Sequence, residues 1–158
     1  MIIQLGNTTA RPAVCALVLF LSSAAGCDQD VDVQGESQTI DVTYGDTAVT
    51  VDLADATVVE IDGVEYVALQ EVVELAGLPG VDIEDLSFDF EGSDGFHPTD
   101  SPNCETLIPL GWVHLTNGYV DPVTRDLVWE DATGFPGCMS VDDLARIEAS
   151  DDPPMTSK

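Results

Sequence analysis

Basic residues are almost absent from this sequence. Its 158 residues hold 4 Lys and Arg against 30 Asp and Glu, a formal net charge of −26. The bases are Arg11, Arg125, Arg146 and Lys158. Proteins that grip nucleic acid carry basic patches to neutralise phosphates, and this chain has none, so that partner is excluded. An anionic bilayer surface repels such a chain too, so membrane attachment requires some other device. The lone lysine is terminal and no Gly-rich G-K-S/T cradle precedes it, which excludes a P-loop. Ser93, Ser101 and Ser140 lack a G-x-S-x-G elbow, and only two histidines are available as a base. No catalytic motif is present, and the expectation is a protein that is not an enzyme. Long apolar runs are lacking as well. The run at residues 13–21 is nine residues, the length of a signal-peptide core and too short to span a membrane.

The acids that are there all follow Cys27. Before it come Arg11, the apolar run, and Leu21-Ser22-Ser23-Ala24-Ala25-Gly26-Cys27. An apolar run followed by small residues reads as an export signal rather than a buried core helix. The stretch resembles the lipobox of bacterial lipoproteins, in which the cysteine is lipidated and becomes the first residue of the mature chain. Ala24 stands where the box usually has a large aliphatic residue, and cleavage near residues 24–26 by ordinary signal peptidase is the alternative. The resemblance implies a signal peptide over residues 1–26 and a lipid on Cys27. It implies a location in the bacterial cell envelope, anchored in a membrane and facing the periplasm or the exterior. The mature chain then has three bases against 30 acids, a side-chain charge of −27.

Of the four cysteines, Cys15 leaves with the leader and Cys27 takes the lipid. Cys104 and Cys138 remain as a pair in an exported protein, and a disulfide is expected between them.

Residues 27–38 read as an acidic tether, residues 39–150 as a single domain and residues 151–158, with two prolines, as a disordered tail. Hydrophobic residues make up 44% of the chain, enough for the domain to fold. Ile40, Val42 and Tyr44, then Val49, Val51 and Leu53, alternate with polar residues and predict a hairpin around Gly45-Asp46. A second hairpin is predicted over residues 57–61 and 64–68, turning at Asp62-Gly63. Leu69, Val72, Val73 and Ala76 share one helical face, so residues 69–76 are the one clear helix, stopped by Gly77 and Pro79. Leu86, Phe88 and Phe90 alternate as a strand. Residues 107–116 read as a broken strand, residues 119–120 and 127–130 as strands. Residues 141–149 fit a helix face and a strand equally. The fold class is α+β, mostly antiparallel strands and hairpins with one clear short helix.

The candidate ligand loop is residues 92–104, where Asp94, Phe96, His97 and Asp100 join carboxylates to an imidazole among turn formers. A metal alternative is weighed there. Asp89-x-Glu91-x-Ser93, with Asp100 at the twelfth place, mimics a calcium loop, but its glycine falls one residue late at Gly95. Asp89, Glu91, His97 and His114 are the side chains that calcium or a transition metal would take. His97, His114, Cys104 and Cys138 match no zinc spacing. Trp112, Tyr119, Trp129 and Phe135, with Phe96 and His97, line either a ligand groove or the core of the C-terminal half.

From Val49 to Phe96 the chain resembles the substrate-side fold of sulfite-oxidase-type, molybdopterin-binding oxidoreductase domains. The matching residues are Asp62-Gly63-Val64, the segment Leu69-x-x-Val72-Val73-x-Leu75-Ala76-Gly77-Leu78, and a strand ending in Asp94-Gly95-Phe96. Asn117-Gly118 and residues 141–149 are similar to its later segments. The cysteine motif through which that family ligates molybdenum has no counterpart here, nor do the bases that hold the cofactor's phosphate. The resemblance therefore implies a shortened, cofactor-free relative and assigns no catalytic residue.

The reading is an exported, lipid-anchored envelope protein acting as a non-catalytic binding or surface module for a cationic or protein partner, without a cofactor. The alternatives are a calcium- or transition-metal-binding protein and a degenerate molybdopterin-oxidoreductase-like domain.

Overall fold

The structure is a computed structural model and describes residues 38–154. The expected signal peptide, Cys27, the expected tether up to residue 37 and residues 155–158 lie outside the described residues. Those described all fall in one compact unit.

Period-two alternation produces the first hairpin. Strand β1 (Thr39–Tyr44) pairs antiparallel with β2 (Thr47–Asp52), from Thr39 opposite Asp52 to Tyr44 opposite Thr47. Ile40, Val42 and Val51 go inward and are buried. Strands β3 (Val58–Ile61) and β4 (Val64–Ala68) form the second hairpin. Asp62 and Gly63 turn it with φ of 53° and 83°, the two left-handed residues that a type I′ turn requires.

Helix α1 (Leu69–Ala76) occupies the predicted residues and buries Leu69, Val72, Val73 and Ala76. Its first turn is tied to the second hairpin, because the Thr57 N–H donates to the Glu71 carboxylate at 2.7 Å. Gly77 closes it in the left-handed conformation, its N–H reaching the Glu74 carbonyl, and Leu78 after it is buried.

Strand β5 (Ser87–Gly92) follows with Phe88 and Phe90 buried. Residues 107–116 depart from the expected broken strand. Only Leu110–Gly111 is strand (β6); Trp112–Leu115 is a helical turn (α2) that buries Leu115. Gln70 of α1 donates to the Trp112 carbonyl at 3.2 Å and joins the two helices. Strands β7 (Gly118–Val120) and β8 (Leu127–Trp129) come next, then β9 (Leu144–Ser150). Residues 144–150 thus take the strand option. Asp151 accepts a hydrogen bond from the Tyr44 hydroxyl, and Pro154 packs over Gly111, so the start of the expected tail is held against the domain.

The strands make two sheets, ordered β2-β1-β9-β5-β6 and β3-β4-β7-β8. All pairs are antiparallel except β1 with β9. This is the expected α+β class. The inner face of the first sheet carries Ile40, Val42, Phe88, Phe90 and Ile147; α1 packs on β2, β4 and β7 to close the core. The outer face of that sheet is charged. Asp41, Arg146 and Glu91 lie in one row across β1, β9 and β5, and Thr43, Glu148 and Asp89 in the next.

Candidate functional site

The loop after β5 is built by short-range hydrogen bonds. The Gly92 N–H donates to the Phe96 carbonyl at 2.9 Å, and the Phe96 N–H to the Asp94 carboxylate at 2.9 Å. The next turn is a reciprocal pair. The His97 N–H donates to the Asp100 carboxylate at 3.1 Å, and the Asp100 N–H to the His97 carbonyl at 2.9 Å. Asp100 is thereby a turn-former, its carboxylate used by the backbone.

The facing loop is residues 137–143. Cys138 and Cys104 form the expected disulfide, Cα atoms 6.1 Å apart and Cys104 buried. Asp143 fastens the other end. Its carboxylate accepts hydrogen bonds from the Ser93 hydroxyl and from Arg125 Nη2, and its carbonyl accepts the Ser93 N–H at 2.9 Å. Arg125 Nη1 also donates to the Thr39 carbonyl at 3.0 Å. The hydrogen bond from Ser93, with the Arg125 charge behind it, holds the Asp143 carboxyl below the usual carboxylate range.

Between the two loops lies an open cavity of about 340 Å³ lined by Asp94, Phe96, Gly137, Cys138, Ser140 and Asp142. Phe96 packs its inner side against the core, and Asp94 and Asp142 are exposed. Two carboxylates, an aromatic ring and a disulfide-bonded cysteine thus share one lining, negative charge beside apolar surface. That arrangement suits a small cation with an apolar body. Of the expected loop residues, Asp94 and Phe96 line this cavity; His97 and Asp100 do not. Gly137, Ser140 and Asp142 were not singled out by sequence. The one signal for them was the Cys104–Cys138 pairing, which carries the second loop to the first.

The four metal-alternative residues are divided. His97 Nε2 lies 3.9 Å from Glu91 Oε1, and Glu91 Oε2 lies 2.8 Å from Arg146 Nη1. Asp89 faces a different cavity of about 220 Å³, with Thr99, Ile108, Pro109 and Glu148 in its wall. Desolvation raises the Asp89 carboxyl above its ordinary value, against a hydrogen bond from the Phe90 N–H and the charge of His97. His114 sits on α2 with its ring 6.3 Å from Phe135, lining a cavity of about 210 Å³ with Asn117 and Thr133. Among the described residues no group of three or more His, Cys, Asp or Glu is arranged to hold a metal ion.

The aromatic residues are divided too. Phe90, Trp129 and Phe135 form an edge-to-face chain, with centroids 5.8 and 5.1 Å apart, and Trp112 packs on Phe88 at 6.1 Å. Trp129 Nε1 donates to the Met139 carbonyl at 2.7 Å, so its polar tip is used by the fold. These rings flank the core. Tyr119 lies apart from them, beside Tyr66.

Among the described residues the groups that molybdopterin requires are not free. The Arg125 and Arg146 guanidiniums pair with Asp143 and Glu91, and both cysteines are in the disulfide. These residues do not fit the cofactor.

The fold and the cavity together define an α+β domain with an acidic, disulfide-braced concavity. Comparison with protein-family models, with curated proteins and with solved structures finds no match for this chain.

Proposed function

We propose that the protein is a non-catalytic binding module of the bacterial cell envelope, exported and anchored by a lipid on Cys27. Its ligand is a small organic cation held between residues 92–97 and 137–142. The observation that carries this reading is the cavity whose lining brings Asp94 and Asp142 together with Phe96 and Cys138 of the disulfide. The absence of a catalytic motif and the charge of the chain support it. The likeness to molybdopterin-binding domains then concerns fold alone.

The test titrates the purified protein with spermidine and with calcium chloride at matched ionic strength, following thermal unfolding. A ligand that binds the folded state raises the midpoint as its concentration exceeds its dissociation constant. Spermidine is expected to raise it, and Asp94→Asn with Asp142→Asn to remove the rise. A rise with calcium alone, surviving in that double variant, transfers the reading to the metal alternative. Anchoring is tested separately: Cys27→Ser is expected to release the protein from the membrane fraction or leave it unprocessed, and unchanged membrane retention refutes the lipid.

A further inference from the structure

The second sheet has two faces, and both are apolar. Residues paired directly across an antiparallel ladder share a face. One face carries Val67, Val120 and Leu127, in register across β4, β7 and β8 and all buried in the core. The other face carries Val59 opposite Tyr66, Ile61 opposite Val64, and Ala68, Tyr119 and Val128 in one row. None of these seven is buried, and Val64 is 45% exposed. A sheet with one face in the core ordinarily turns polar residues to solvent on the other. The first sheet obeys that rule, with Asp41, Asp89, Glu91 and Glu148 outward. The second does not, in a chain with 30 acids to spend. An apolar sheet face left open in so acidic a protein marks a surface that meets another molecule.

At its centre Tyr66 and Tyr119 lie side by side, ring centroids 6.2 Å apart. The Tyr119 hydroxyl donates to the Glu130 carboxylate at 2.8 Å, which fixes that carboxylate at the edge of the rings. Around the patch the charge has one sign. The turns and the edge of this sheet carry Asp62, Asp121, Asp126 and Glu130, while Glu60 and Glu65 pair on the opposite face. The one base among them, Arg125, points its guanidinium to the Thr39 carbonyl and to Asp143.

The geometry points to the Tyr66–Tyr119 face as a docking surface for a lysine- and arginine-bearing polypeptide. Charge decides among occupants. A second copy brings another −26 to the same acidic rim, and an anionic lipid or nucleic acid is repelled as strongly. A basic segment meets what each part of its side chains needs. The aliphatic stems lie over Val59, Val64 and Val128, the cationic heads over the tyrosine rings, and the rim carboxylates pair with the charge. The surface is separate from the cavity at Asp94 and stands or falls without it.

The test titrates the full-length protein with a fluorescent peptide of alternating arginine and valine at near-physiological salt. Tyr66→Ser and Tyr119→Ser are each expected to weaken binding about tenfold, as removal of an interface aromatic does. Tyr66→Phe keeps the ring and is expected to bind as the parent does. Glu74→Gln, on the exposed side of α1, removes a charge elsewhere and is expected to change nothing. Near-UV circular dichroism checks that each variant is folded. Equal weakening by Glu74→Gln, or parental binding by both serine variants, reduces the interaction to diffuse charge attraction and overturns the proposal. A dimer of the protein alone in sedimentation that Tyr66→Ser abolishes overturns it in favour of a second copy.

Discussion

Two aspartates of this molecule feel opposite forces. The folded Asp143 carboxyl is held below its ordinary range, so it stabilises the fold fully above the unfolded-state value and loses that contribution as pH falls through the folded one. The Asp89 carboxyl is raised by desolvation, so its ionised form opposes folding; that cost is absent below the unfolded-state value and complete above the folded one. Asp89→Asn is therefore expected to raise the urea midpoint at pH 7 and leave it unchanged near pH 3, while Asp143→Asn lowers it at pH 7 and by less as the pH falls below the ordinary carboxylate range. Urea titrations at the two pH values check both signs. Gly118 tests packing rather than charge. A Cβ built there lies 2.8 Å from both Leu69 Cδ2 and Trp129 Cζ3, where α1 meets β8. Both neighbours are held, one in the core and one by its hydrogen bond to Met139, so neither yields freely. Gly118→Ala is expected to cost about 1–3 kcal/mol, the range for overpacking, read as a fall in the urea midpoint at unchanged slope.

Elements whose signal is local were legible in the sequence, and those shaped by a partner strand were not. Helix α1 needs only its own four apolar residues and Gly77, and it formed over the predicted residues. The Asp62-Gly63 hairpin likewise follows from its turn. Strand β9 is different. Against β5 its register shifts between Glu91 and Gly92, so Gly92 faces Leu144 while Glu91 faces Arg146. Ala145 is the extra residue of a bulge, and the buried positions become Leu144, Ile147 and Ala149. The step from buried Val141 to buried Leu144, with Ala145 next to it, imitates a helix face, which is why residues 141–149 fitted both patterns. Residues 112–115 misled for another reason: Gly111 ends the short pairing of β6, and the apolar residues after it satisfy their backbone within one helical turn. Ile147 is fully buried between β1 and β5, so Ile147→Ala is expected to cost about 2–5 kcal/mol. The exposed Val123 changed to Ala is expected to stay within about 0.5 kcal/mol, and parallel urea unfolding of the two variants checks the contrast.

At the scale of the whole molecule the sequence foretold the disulfide and half of the cavity. Asp94 and Phe96 sit in a recognisable loop, but Ser140 and Asp142 reach it only through the Cys104–Cys138 closure and the Ser93–Asp143–Arg125 bonds, contacts with no local signature. That closure spans a sequence separation of 34, so reducing it is expected to cost about 3–4 kcal/mol in the chain-entropy description, measured by unfolding with and without reductant. The net charge acts across the same scale with the opposite sign. Folding gathers most of the chain's net charge of −26 into one domain, and like charges that an extended chain keeps apart repel one another there. Salt screens exposed charges within about 10 Å at 0.1 M, weakening this repulsion together with the ion pairs of Arg125 with Asp143 and Arg146 with Glu91. Those pairs are partly exposed and each is worth at most about 1 kcal/mol, whereas the repulsion is summed over most of 30 carboxylates. Repulsion outweighs pairing, and the thermal midpoint is expected to rise as sodium chloride is raised from low to moderate concentration. A midpoint that falls with salt would place the balance with the ion pairs, and Arg125→Gln would then lose most of its destabilising effect at high salt.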